Sequence, residues 1–225
     1  MAEERRIEFK GTGLQALGWG LYSLLLSLLI IPAAWGAAAL YRWFVRNLSF
    51  SDGTQASFEG RGGEVWGYFV LMTLLGLAPQ LSRGIEDPRG AFLASLVLPL
   101  LFLPINVAIW LKIWRWFVSR IRLSSGTPLV FTGTYGSYLG WMLLVIVSAY
   151  TIVGLPWATV AMARWICRNI EGGDNELVFH GSGWGLFWRV FLAVLASLFV
   201  IPIPWVTVWL VRWFARNMLI TKKVV

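Results

Sequence analysis

The sequence predicts an all-α polytopic membrane protein, built of four repeated helical-hairpin units with small β-hairpins on the cytoplasmic face. Three observations carry that expectation. The 225 residues are 58% hydrophobic and 13% charged, where soluble chains average roughly 45–50% and about 25%. Long apolar runs recur, and each is closed by an Arg-Trp motif: Arg42-Trp43-Phe44-Val45-Arg46-Asn47, Arg115-Trp116-Phe117-Val118-Ser119-Arg120, Arg164-Trp165-Ile166-Cys167-Arg168-Asn169 and Arg212-Trp213-Phe214-Ala215-Arg216-Asn217. Each run is also opened by a Phe-x-Gly signature, at Phe9, Phe58, Phe131 and Phe179. From that Phe to the first motif Arg is 33 residues in copies one, three and four, and the Trp at a central break (Trp35, Trp157, Trp205) lies 26 along in each. A fixed register of this kind marks an internal repeat. The chain therefore reads as a single membrane domain over 1–225, with units at approximately 6–50, 56–122, 129–170 and 177–219.

In order, Arg6-Ile7-Glu8-Phe9 alternates as a short strand and turns at Gly11-Thr12-Gly13 into an apolar run, Leu14 to Ile31. Its 18 residues would extend about 27 Å as a helix, near the bilayer core thickness. Pro32 breaks it, and only nine residues, Ala33 to Tyr41, separate the break from Arg42. Ser51-Asp52-Gly53-Thr54 reads as a hairpin bend. Copy two carries an insertion: a first helix from about Glu64 to Leu81, the polar loop Ser82 to Arg89, and a return from Ala91 to Ile113. Ser124-Ser125-Gly126-Thr127-Pro128 makes the next turn, and Gly154 with Pro156 breaks copy three. After Glu171 to Asn175 turns again, copy four breaks at Pro202 and Pro204, and the tail from Met218 could supply a last strand.

Two topologies stay open. Single crossings by copies one, three and four would scatter the basic residues over both sides. Four hairpins would leave only Arg83 and Arg89 outside, which obeys the positive-inside rule better. The short second arms then read as re-entrant.

The formal charge of +8 flanks apolar runs, so anionic membrane lipid is the expected partner, with a membrane-protein partner or a homo-oligomer besides, and no nucleic acid. The acids fall in termini, turns or helix starts, which leaves no intramembrane carboxylate relay. His180 is the one histidine and Cys167 the one cysteine, so no catalytic residue, metal or cofactor is expected. Cys167 reads as a small apolar residue near a helix end. Arg42, Arg46, Arg115, Arg164, Arg168, Arg212 and Arg216 are the candidate binders of anionic lipid or another anion, because a guanidinium donates two parallel hydrogen bonds to a phosphate. Trp43, Trp116, Trp165 and Trp213 are the candidate interfacial anchors. Arg189 replaces the Trp at the same offset in copies one and three (Trp19, Trp141) and is expected to snorkel.

Phe9-Lys10-Gly11-Thr12-Gly13, the break Gly154-Leu155-Pro156-Trp157-Ala158, and the Arg-Trp and Asn that follow resemble the YjgN-type family of bacterial inner-membrane proteins. The resemblance implies a multi-pass bacterial inner-membrane location and carries over neither an established activity nor a catalytic residue. A non-enzymatic integral membrane scaffold, or an accessory subunit of a membrane complex, is the expected function. A channel or transporter for a small or anionic solute is the alternative, motivated by the pseudo-symmetry and broken helices.

Overall fold

The computed structural model describes residues 5–222, apart from 78, 79, 81, 82, 152 and 200 and the side chain of Tyr150. Four strand–helix–helix–strand units follow one another, each closed by its own two strands. The first runs β1 (Arg5–Phe9), α1 (Gly13–Ser27), α2 (Ala33–Arg46) and β2 (Leu48–Phe50). The second is β3 (Ala56–Phe58), α3 (Trp66–Leu77), α4 (Pro88–Ser119) and β4 (Ile121–Leu123). The third is β5 (Val130–Phe131), α5 (Tyr135–Thr151), α6 (Leu155–Arg168) and β6 (Ile170–Gly172). The fourth is β7 (Asn175–Phe179), α7 (Gly183–Ser197), α8 (Ile203–Arg216) and β8 (Met218–Lys222). In every unit the two strands pair antiparallel.

Strand pairing also joins the units. β1 pairs with β8 and β6 with β7, giving a six-stranded antiparallel sheet in the order β2-β1-β8-β7-β6-β5. The β3–β4 ribbon is bridged to its two edges through Ser49–Gln55 and Arg122–Pro128. The eight strands thus complete a circuit, with the helical arms standing on one end of it. Three turns between units hold a glycine at positive φ, Gly53 (80°), Gly126 (77°) and Gly173 (63°), a conformation that side-chain-bearing residues resist.

Local chemistry sets the ends of the arms. Thr12 caps α1 in a reciprocal box: its hydroxyl accepts from the Gln15 amide, and the Gln15 side chain accepts from the Thr12 amide. Ser182 caps α7, and Asp87 caps α4 ahead of Pro88. At the far ends Asn47, Asn169 and Asn217 each turn the side-chain amide back to donate to the carbonyl of the motif Trp, at 2.7–2.8 Å. The same carbonyls also accept from the backbone N–H of that Asn at 3.2 Å, so each Asn closes its helix with two bonds to one oxygen. In copy two Ser119 and Arg120 stand at the places of the motif's second Arg and its Asn.

The all-α polytopic expectation is overturned. The strands merge into an extended antiparallel sheet, so the fold is mixed α and β, and the separate small β-hairpins become one structure. The arms are also short. Counting the apolar run to Ile31 made α1 appear long enough to cross, but the helix stops at Ser27. Its 15 residues extend about 22 Å, against about 30 Å of hydrocarbon. Leu28 to Pro32 are given over to a turn in which Ile30 has φ of 57°. Among the described residues, α4 alone is long and apolar enough to cross a membrane. The expected multi-pass bacterial inner-membrane location is corrected with it. The Ala91–Ile113 return is part of this continuous 32-residue helix, which runs through Pro99 and Pro104. The expected helix ending at Leu81 is Trp66–Leu77, and 78, 79, 81 and 82 lie outside the described residues, as do 1–4 and 223–225.

Candidate functional site

The repeated motifs meet in the structure as one joint, made four times. Each signature Phe is buried and packs edge-on against the motif Trp of its own unit: Phe9 on Trp43 at 5.5 Å, Phe58 on Trp116 at 5.3 Å, Phe131 on Trp165 at 5.8 Å and Phe179 on Trp213 at 5.9 Å between ring centroids. The glycine two residues after the Phe lies between the rings. A Cβ on Gly11, Gly60, Gly133 or Gly181 would come within 2.4–2.6 Å of the Phe and 2.7–2.9 Å of the Trp.

The carbonyl of that glycine accepts from the unit before it. Arg42 Nη2 donates to Gly60 O at 3.2 Å, Arg115 to Gly133 at 3.1 Å, Arg164 to Gly181 at 2.8 Å, and Arg212 closes the circle on Gly11 at 2.9 Å. A hydrogen bond from a charged donor is worth about 1.5–3 kcal/mol. Four of them make the first arginine of each motif a clasp between units, and one guanidinium nitrogen of each is committed to it. The four motif Trp, expected as interfacial anchors, are half-buried in these joints. Large side chains of the arms are exposed instead, among them Trp19, Trp66, Trp184 and Trp188.

Arg46, Arg168 and Arg216 lie in the last turns of α2, α6 and α8, exposed and with no hydrogen bond among the described residues. A cation there complements the helix dipole. Among the described residues none of the seven candidate arginines has a carboxylate partner. The ion pairs are Arg5–Asp52 (3.1 Å), Arg120–Glu64 (2.8 Å) and Arg122–Glu59 (3.3 Å). The hydroxyl of Thr54 holds the Asp52 carboxyl below its ordinary range against the opposing effect of burial, with the Thr54 backbone N–H and the charge of Arg5 acting in the same direction as the hydroxyl. The seven arginines thus form an unneutralised belt where the arms meet the sheet. Above the belt the arms bear exposed apolar side chains out to their tips, where Leu28, Phe199 and Ile201 are 72%, 72% and 81% exposed.

A second lock between units is absent from the sequence expectations. The Trp at each break packs on the next unit's second glycine: Trp35 on Gly62, Trp157 on Gly183 and Trp205 on Gly13, where a Cβ would come within 2.4–2.7 Å. At the joint between units two and three the sizes are reversed. Ala108 stands at the Trp position and Tyr135 at the glycine position, and the Tyr135 hydroxyl donates to Pro104 O at 3.1 Å. The signal was available as complementary residue sizes at fixed offsets, but which unit pairs with which is a property of the closed circle.

Arg189 does not reach into solvent. Its guanidinium lies over Trp209 (5.6 Å) and Trp213 (5.2 Å), and Nη1 donates to Gly185 O at 2.7 Å. The backbone N–H of His180 donates to Asn217 O at 2.8 Å, closing unit four. Among the described residues no three His, Cys, Asp or Glu side chains gather as metal ligands would.

No family model, curated protein or solved structure matches the chain. The resemblance to the YjgN-type family rests on the sequence motifs alone.

Proposed function

We propose that the protein is a non-enzymatic scaffold, or the accessory subunit of a membrane complex, that seats on anionic lipid. The observation that carries this reading is the belt of seven arginines without carboxylate partners, directly beneath arms whose apolar side chains face outward. Apolar surface on this scale is stable against hydrocarbon and costly against water. Arms of 12 to 17 residues reach about 18–26 Å, so α1, α3, α5 and α7 dip into a lipid layer from one side without needing to cross it. Phosphates then lie at the level of the belt, where Arg46, Arg168 and Arg216 have every donor free. The sheet end faces away from the lipid and is the surface open to a membrane-protein partner or a second copy.

Channel activity is the weaker reading, because the space between the arms is lined almost wholly by apolar side chains and the space inside the strand circuit is polar only at its strand end. Such walls give an anion nothing to replace its water.

Vesicle flotation tests the proposal. Each surface cation contributes about 1 kcal/mol toward an anionic leaflet. Replacing Arg46, Arg168 and Arg216 together by Gln is therefore expected to weaken binding to phosphatidylglycerol vesicles roughly 100-fold, and added salt is expected to weaken the unaltered protein in the same direction. Equal binding of both proteins to anionic and to neutral phosphatidylcholine vesicles would remove the lipid-headgroup role.

A further inference from the structure

Two apolar spaces adjoin one another, an inner one on the axis about which the four units repeat and an open cleft between the arms of units one, two and four. The inner one, about 400 Å³, is lined by the strand circuit and the ends of the even-numbered helices. Residues at the same place in all four copies line it in successive rings. Phe44, Phe117, Ile166 and Phe214 form the first, Leu48, Ile121, Ile170 and Met218 the second, and Phe50, Leu123, Gly172 and Ile220 the third. The outer space, about 880 Å³, lies between α1, α2, α4 and α8 and includes Leu21, Leu24 and Ile201 near the tips of the arms. Phe44, Trp114, Phe117 and Val211 line both spaces and stand between them.

Of the polar side chains at the strand end of the inner space, Arg5, Asp52, Thr54, Ser125, Thr127 and Glu176 already have partners. Arg5 pairs with Asp52, Thr54 donates to Asp52, Ser125 donates to Thr127, and Glu176 accepts from Thr221. That leaves no built site for a charged group. Protein interiors are close-packed, with few voids larger than a water molecule. An apolar cavity stays dry because water finds no partners in it, and it takes up hydrocarbon instead. Both volumes lie in the range of small-molecule sites, about 300–1,000 Å³.

We infer that the inner space is a chamber that holds one linear acyl chain, which enters from the cleft past Phe44, Trp114, Phe117 and Val211 and ends among the aliphatic rings inside the strand circuit. The lining selects the class of ligand. Three successive rings around one axis suit an unbranched chain, whose methylene groups meet each ring in turn, better than a fused-ring molecule. This site is separate from the arginine belt and does not depend on the headgroup role proposed above.

The test is binding of cis-parinaric acid, a linear fluorescent polyene, to the full chain purified in a steroidal detergent too wide to enter. Saturable 1:1 binding that palmitate displaces and cholesterol does not is the expected result. Leu123→Trp and Ile220→Trp, which fill the inner space, are each expected to weaken it at least 10-fold while circular dichroism and the thermal midpoint are retained. Arg46→Gln with Arg168→Gln and Arg216→Gln is expected to leave it unchanged, so failure of the lipid-headgroup role and failure of the chamber are separately visible. Displacement by phosphatidylglycerol vesicles would assign the chain to a phospholipid tail, and displacement by palmitate alone to a free single-chain acid. Equal binding by the filled variants, or no saturable binding, overturns the inference.

Should a filled variant misfold, the unaltered protein gives a second measurement. Cys167 lines the inner space and is 2% exposed, and burial pushes its thiol up to about 12. Its slow reaction with methyl methanethiosulfonate at pH 9 is expected to slow at least 10-fold further when palmitate saturates the protein. An unchanged rate also overturns the inference.

Discussion

Glycine is the residue on which the joints depend, and steric room is the reason at most of them. Gly13, Gly62 and Gly183 each receive a Trp from the preceding unit, and between units two and three Ala108 and Tyr135 stand at these places with the sizes exchanged. This leads to a size-swap prediction. Gly13→Tyr alone drives a ring into Trp205, and Trp205→Ala alone leaves a cavity; overpacking costs about 1–3 kcal/mol, and loss of a large aromatic about 3–5 kcal/mol when it is fully buried. Trp205 is 48% exposed, so its cost falls below that range. Combined, the two substitutions recreate the arrangement at Tyr135, and thermal unfolding of the pair is expected to show less damage than the sum of the singles. Strict additivity in the double-mutant cycle would mean that the two residues do not share a joint. The motif arginines were legible as a repeated cation of one type. What escaped the sequence reading was their acceptor, a backbone carbonyl, which carries no residue identity to recognise.

At the scale of elements, the breaks decide the architecture. An apolar run of 18 residues, Leu14 to Ile31, suggested a crossing, yet α1 uses 14 of them, Leu14 to Ser27, and the rest turn the chain back. The turn holds Ile30 at φ of 57°, where a Cβ costs about 1–2 kcal/mol. Ile30→Gly removes that cost and adds some unfolded-state entropy, about 0.5–1 kcal/mol against the fold. The expected net is a stabilisation of up to about 1 kcal/mol in chemical denaturation. A loss of more than that amount would show that the Ile30 side chain packs the turn. Proline was a weaker guide: Pro32 and Pro202 stand at breaks, whereas Pro99 and Pro104 lie inside a continuous α4. Their residue type is the same, and α4, packed on α3 and α5, continues through both.

Across the whole molecule, the ends of the chain are brought together. Arg5 is opposite Ile220 in the β1–β8 pairing, and Arg212 reaches Gly11 across 201 positions of sequence. Closure between units four and one therefore uses the same devices as the joints along the chain: a clasp, a Trp on glycine, and strand pairing. A circular permutant that joins the two termini through a short glycine–serine linker and opens the chain at Gly84, in the polar loop before α4, is expected to fold with the same circular dichroism and a midpoint within a few degrees. A permutant that loses its fold would show that the order of the units matters beyond their joints.

The sequence by itself determined the repeat, its register, the breaks at Pro32, Gly154–Pro156 and Pro202, and the residue types at each joint. These depend on neighbours within a few positions, where capping groups, glycine and proline act. It did not determine the strand circuit. Strands of two to five residues show in the sequence only as brief alternation beside a turn, and their pairing depends on segments brought near only when the circle closes. Nor did it determine whether an arm crosses a membrane, because composition measures how apolar a run is and only the folded turn shows how much of it is helix. The partners of the arginines and of the break Trp were settled last, since each lies in the neighbouring unit and exists as a contact only once all four units stand around one axis.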